Sequence, residues 1–139
     1  MNIIVLLEAA DGTYCILAKK DSLLYPSAEG QALPGEIPTE AASRLLCASI
    51  GVVCPPQKFR TISPSDSFYI VATARYNVTM GPFMLDAAYT DDNWLDREEL
   101  RESYTKDPAA FSPSLEKALE ILLKRENPLC CLAFQSFRS

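Results

Sequence analysis

Apolar and polar positions divide the chain into segments of different period. Residues 2–8 (NIIVLLE) and 13–18 (TYCILA) are nearly continuous apolar runs of strand length, and the Asp11-Gly12 pair between them is a strong hairpin signal. The pattern predicts a first hairpin of a mixed sheet. A polar connection follows through Lys19, Lys20 and Asp21, then Leu23, Leu24 and Tyr25. Pro38 at a first helical position, Glu40 in the first turn and Gly51 after the last turn bracket a helix over 38–50. Ala41, Ala42, Leu45, Leu46, Ala48 and Ile50 leave little polar surface beyond Ser43, Arg44 and Ser49, so this helix is expected to be largely buried, with Leu45 and Ala48 as packing residues.

Cys54-Pro55-Pro56 then interrupts regular structure, and 57–62 resumes as a strand before Ser63-Pro64-Ser65-Asp66 turns it. Residues 67–76 (SFYIVATARY) form the clearest strand of the second half. Alternation places Phe68, Ile70, Ala72 and Ala74 on one face and Tyr69, Val71, Thr73 and Arg75 on the other. Residues 78–85 contain Gly81-Pro82 and read as irregular. Ser112-Pro113 opens a helix over 112–125, with Leu115, Ala118, Leu119, Ile121, Leu122 and Leu123 as its apolar positions. Asn127-Pro128 ends it, leaving an apolar tail, LCCLAF, too short to span a bilayer.

Composition narrows the chemistry. The 139 residues fit one domain with a sizeable core, and 48% hydrophobic with 22% charged residues is a globular balance. The net charge of −5 argues against a non-specific nucleic-acid partner, which needs a basic surface. There is no histidine, which removes the commonest general base near neutral pH and every imidazole-bearing triad or zinc site. The five cysteines, Cys15, Cys47, Cys54, Cys130 and Cys131, are odd in number, lack CxxC spacing and mostly sit in apolar runs. They read as small buried hydrophobes in a reducing compartment. The N-terminal MNIIVLLEAADG lacks a basic region and its apolar run ends at Glu8, so it reads as a strand rather than a signal or anchor, with no membrane partner and a cytoplasmic location expected.

The segment GQALPGEIPTEAASRLLCASIGV carries the most information. Gly30, Glu36, Arg44, Leu46, Gly51 and Val52 stand at the spacing of the Nudix signature, and without insertion the segment resembles that signature throughout. Downstream, Asp92 to Leu100 (DNWLDREEL) resembles the late Nudix element in which a strand bearing an aromatic precedes a short helix beginning near Glu98-Glu99-Leu100. The resemblance covers residues 1–126 and implies an α/β fold, a Nudix-like α/β/α sandwich with a mixed sheet, leaving 127–139 as a short apolar C-terminal tail. It also implies that Glu36 and Arg44 form an ion pair tying loop to helix.

The family's three metal-holding glutamates would fall on Leu45, Ala48 and Ser49. Those positions share one helical face, where three carboxylates can hold hard cations that bridge a diphosphate and activate water. Leucine and alanine cannot ligate a cation, and a neutral serine hydroxyl does not replace the lost charge. The resemblance thus implies a catalytically degenerate Nudix domain acting as a nucleotide-binding, regulatory or protein-interaction module, with no cofactor expected. An alternative is an atypical hydrolase of nucleoside diphosphate-X compounds, using Glu36, Glu40 and a loop acid among Asp91, Asp92, Glu98 and Glu99 with magnesium or manganese. A third is a structural subunit. Candidate ligand-binding residues are Lys19 and Lys20 facing phosphates, Glu36, Glu40 and Arg44 in the signature, and Tyr69 stacking on a base. A protein partner or homodimer is expected to use helix 38–50 or the tail.

Overall fold

The computed structural model describes residues 1–63, 69–76 and 84–125. Its central strand is β1 (Asn2–Ala9), which sends Ile3, Val5 and Leu7 into one half of the core and Ile4 and Leu6 into the other. An apolar run without alternation is what a strand covered on both faces requires. β1 pairs in parallel with β6 (Tyr69–Tyr76) along its whole length. Its first half also pairs antiparallel with β4 (Ala28–Gln31), whereas it meets β2 (Tyr14–Lys19) only at Glu8 and Tyr14. β2 in turn carries β7 (Tyr89–Leu95) and the two-residue β3 (Leu24–Tyr25), and β5 (Arg60–Thr61) borders β6. The described residues therefore form a mixed sheet of seven strands that forks where β1 and β2 part.

The fork is closed by one side chain. Where β1 and β2 no longer pair, the Leu7 amide donates to Ser27 Oγ at 2.9 Å and the same hydroxyl donates to the Cys15 carbonyl at 2.6 Å. Ser27 is fully buried, so it satisfies backbone groups that would otherwise lie unpaired inside the protein.

A helical layer covers each face. α1 (Pro38–Ile50) buries Ala41, Ala42, Leu46 and Ile50 against Val5, Leu7, Leu17 and Ala72. α2 (Arg97–Lys106) and α3 (Pro113–Arg125) bury Leu100, Leu115, Leu119 and Leu122 against Ile4, Leu6, Ile16 and Val71. Each such leucine contributes about 1.5–3 kcal/mol through transfer from water. No helix among the described residues is long and apolar enough to cross a membrane.

α1 runs over the expected residues and for the expected reasons. Pro38 occupies its first turn, Glu40 accepts the Ile37 amide at 3.0 Å, and Gly51 closes it at φ 75°. Its burial departs from expectation. Ser49 is buried, whereas Cys47 and Ala48 are exposed and Leu45 is half-buried, because the sheet covers only one side of the helix.

Other elements differ more. The connection after Lys19 contains β3 and β4, short strands held by pairing with β2 and β1 rather than by any local pattern. The strand expected over 57–62 shrinks to β5, since Pro56–Lys58 forms a 3-10 turn. The helix after Trp94 is longer than expected; Asp96 caps it by accepting the Glu99 amide at 2.8 Å, while Glu99 accepts the Asp96 amide at 3.0 Å. Both faces of β6 are buried, with Ala72 and Ala74 on one side and Val71 on the other. The turn expected at 63–66 mostly, the irregular stretch over 78–83 and the tail 127–139 lie outside the described residues.

Candidate functional site

The signature segment is built around one ion pair. Arg44 Nε donates to Glu36 Oε2 at 2.9 Å and its Nη2 donates to Glu36 Oε1 at 3.0 Å, a two-pronged contact between guanidinium and carboxylate. Arg44 Nη2 also donates to the Gln31 carbonyl at 2.8 Å, and the Leu33 amide donates to Glu36 at 2.9 Å. The Arg44 hydrogen bonds hold the Glu36 carboxyl below the usual glutamate range, with the Leu33 amide acting in the same direction. Glu36 and Arg44 thus fasten the 31–36 loop to α1.

The face of α1 that would carry metal ligands is filled otherwise. Leu45 packs against the α1 half of the core and lies over Gly30, where an added Cβ would come within 2.6 Å of Leu45 Cδ2. The Ser49 hydroxyl donates to the Ser27 carbonyl at 2.7 Å. Ala48 is exposed and has no polar side-chain atom. The segment after 83 caps the helix: the Met84 amide donates to the Ile50 carbonyl at 3.0 Å and the Asp86 amide to the Ser49 carbonyl at 2.8 Å.

Beside this helix, β2, β3 and β7 present a polar and aromatic surface. Leu17 faces α1, and Lys19, two residues on, shares that face. Its Nζ stands 4.2 Å from the centre of the Tyr25 ring and 5.3 Å from that of Tyr89. A bulge sets this up. Ala18 pairs with Asp91 but Lys19 pairs with Tyr89, so Thr90 is the extra residue that re-aims Tyr89. Asp21 accepts the Tyr25 hydroxyl, a bond that pushes the Tyr25 phenol up to about 12. Burial raises the Tyr89 phenol, with the neighbouring Ser49 side chain acting in the opposite direction. Trp94 Nε1 donates to Asp92 at 2.9 Å farther along β7. Together Lys19, Tyr25, Tyr89 and Ser49 join a cation, two rings and a hydroxyl at the edge of α1.

The residues singled out in the sequence divide accordingly. Lys19 belongs to this surface; Lys20 is exposed in the following turn. Glu36, Glu40 and Arg44 are engaged in loop and helix-end hydrogen bonds. Tyr69 starts β6 opposite Asn2, and its side chain lies outside the described part. Cys15 and Cys54 are buried as expected, but Cys47 is exposed. Tyr25, Tyr89 and Ser27 were not singled out; only the hydroxyl on Ser27 and the aromatic character of the tyrosines marked them, since pairing between distant strands brings them together. A separate groove of about 320 Å³ lies between β1, β4 and the start of α3, lined by Asn2, Glu29, Gln31, Ser114 and Lys117.

The divalent cations that the resemblance associates with hydrolysis do not fit the residues at the signature positions. Leu45 and Ala48 offer no donor atom, and Ser49 offers a single neutral hydroxyl, buried and bonded to the Ser27 carbonyl. Among the described residues no group of three or more His, Cys, Asp or Glu side chains is placed to hold a metal ion.

Comparison with known proteins defines the fold. No protein-family model matches the sequence, and no curated protein matches it by sequence. Solved structures do match. The DR0079 protein of Deinococcus radiodurans superposes with a TM-score of 0.67 at 18% identity, over 86% of this chain and 79% of its own. A MutT protein of Methanosarcina mazei gives 0.61 at 14%, over 91% and 93%, and a Nudix-family hydrolase of Clostridium perfringens 0.57 at 14%, over 87% and 94%. The chain has the Nudix fold, a mixed sheet between helical layers.

Proposed function

We propose that this Nudix-fold chain is a binding module that holds a nucleotide-like ligand against β2, β3 and β7 without hydrolysing it. The observation that carries this reading is the filling of the signature helix face: Leu45 over Gly30, and Ser49 bonded to the Ser27 carbonyl. Lys19 supplies a cation, while Tyr25 and Tyr89 supply ring faces. Rings of this kind stack on any base, each stack contributing about 1–3 kcal/mol. The ligand's orientation would be set by such stacking together with the Ser49 and Asp92 side chains bordering the surface.

A second reading, a metal-dependent hydrolase drawing its acids from outside the signature, is favoured by the fold itself, which a Nudix-family hydrolase of Clostridium perfringens shares. Calorimetric titration of ADP-ribose, NADH and nucleotides in chelator, beside turnover assays in magnesium and manganese, separates the two. Binding in chelator without turnover is the expected result. Metal-dependent turnover that scales with protein and is lost in Asp92→Asn would overturn the binding reading in favour of the hydrolase. Absence of both binding and turnover would sink both.

A further inference from the structure

The charge around the tyrosines restricts what can sit there. Of the thirteen lysines and arginines, Lys19 is on the tyrosine surface and Lys20 exposed in the turn beside it. Arg44, the cation of α1, is committed to Glu36 and the Gln31 carbonyl. Against the two lysines stand three carboxylates, Asp21, Asp86 and Asp92. Asp21 accepts the Tyr25 hydroxyl, the Asp86 amide donates to the Ser49 carbonyl at the end of α1 and its carboxylate acts to raise the Tyr89 phenol, and Asp92 pairs through β7 with Leu17 on the same face. Among the described residues no group of three or more His, Cys, Asp or Glu side chains is placed to hold a divalent cation that would offset more negative charge.

A nucleoside diphosphate brings a second phosphate into a field where, among the described residues, the carboxylates outnumber the lysines. A base brings none. Resting on the binding function proposed above, we infer that the Lys19, Tyr25 and Tyr89 surface takes a planar aromatic ligand bearing at most one phosphate group, a nucleoside or nucleoside monophosphate, and rejects the diphosphate. The base stacks on the tyrosine faces, and Lys19 receives the single phosphate. The site so described has the charge of a product or nucleoside receptor rather than of a pyrophosphate-binding cleft.

Trp94 is the sole tryptophan and packs against the same half of the core, which makes its fluorescence a probe of the surface. The test titrates the full chain, in chelator and at low salt, with the common nucleosides and their mono- and diphosphates, calorimetry checking each titration. For the base that binds best, the monophosphate is expected to bind at least about tenfold more tightly than the diphosphate, a difference of about 1.4 kcal/mol. Lys19→Gln should bring nucleoside and monophosphate affinities together, and Tyr89→Ala should weaken both at least about tenfold with the circular dichroism spectrum unchanged. A diphosphate that binds as tightly as the monophosphate overturns the inference while leaving the binding function standing. No binding by any compound overturns both. Tight binding unaffected by Lys19→Gln and Tyr89→Ala overturns the placement of the site.

Discussion

The Ser49 hydroxyl donates to the Ser27 carbonyl at 2.7 Å, joining the last turn of α1 to the residue that closes the fork between β1 and β2. Ser49→Ala removes the donor and leaves a buried acceptor, so unfolding free energy should fall by about 1–3 kcal/mol. Urea denaturation checks this, with the midpoint lowered and the slope unchanged. Ser49→Glu should cost more, because it places a carboxylate where the native side chain is 7% exposed.

Gly30 and Leu45 form a second coupled pair. Gly30→Ala drives a methyl to within 2.6 Å of Leu45 Cδ2. The leucine end can swing aside, so the expected destabilisation is about 1 kcal/mol, at the low end of overpacking costs. In a Leu45→Ala background that penalty should vanish, and a double-mutant cycle should return a coupling of at least about 0.5 kcal/mol. Equal penalties in both backgrounds would mean that the two residues do not meet.

The Glu36 and Arg44 pair sets a pH dependence. The Glu36 carboxyl is held below its ordinary value of 4.5, chiefly by Arg44. A group with a depressed folded value stabilises the protein above the unfolded value and ceases to do so as pH falls through the folded one. Stability should therefore decline on acidification from about pH 5 downward. Glu36→Gln should flatten that decline and be less stable than the parent at neutral pH. Parallel pH profiles of the urea midpoint for parent and variant would refute the assignment.

The cysteines offer a chemical check on burial. Cys47 is exposed on α1, whereas burial pushes the Cys15 thiol up to about 12 and raises that of Cys54. With Cys130 and Cys131 both changed to serine, a thiol reagent should label the native protein rapidly at one position, lost in Cys47→Ser, and reach Cys15 and Cys54 only on denaturation. Rapid labelling of Cys15 would contradict the packing of β2.

Part of this was legible along the chain. Pro38 and Gly51 mark the ends of α1 because proline suits a first turn and glycine tolerates the left-handed C-cap, and these are local requirements. The unbroken apolar run of β1 likewise announces a strand covered on both sides. β3 and β4 left no such mark; two to four residues become strands only because β2 and β1 pair with them. The exposure of Cys47 and Ala48 was hidden by a helix rich in small and apolar residues, since composition does not say which side the sheet covers. The site was the least legible part. Lys19 and Tyr89 are far apart in sequence, and their meeting depends on the bulge at Thr90. Glu36 and Glu40 drew attention as acids, and the partners the fold gives them, Arg44 for one and the Ile37 amide for the other, are not readable from spacing alone.

The cap on α1 also bears on the order in which the chain folds. The helix starts with its own residues, Pro38 and Glu40, but the carbonyls of Ser49 and Ile50 at its far end are met by the amides of Asp86 and Met84. The first turns can form from nearby sequence, whereas the last turn waits for a segment that must first be carried past β5 and β6. Closing so long a loop is slow compared with helix growth. During refolding the amides of the N-terminal turns of α1 should gain protection from hydrogen exchange before the end that borders Tyr89 and Ser27, so the tyrosine surface is completed among the last parts of the molecule.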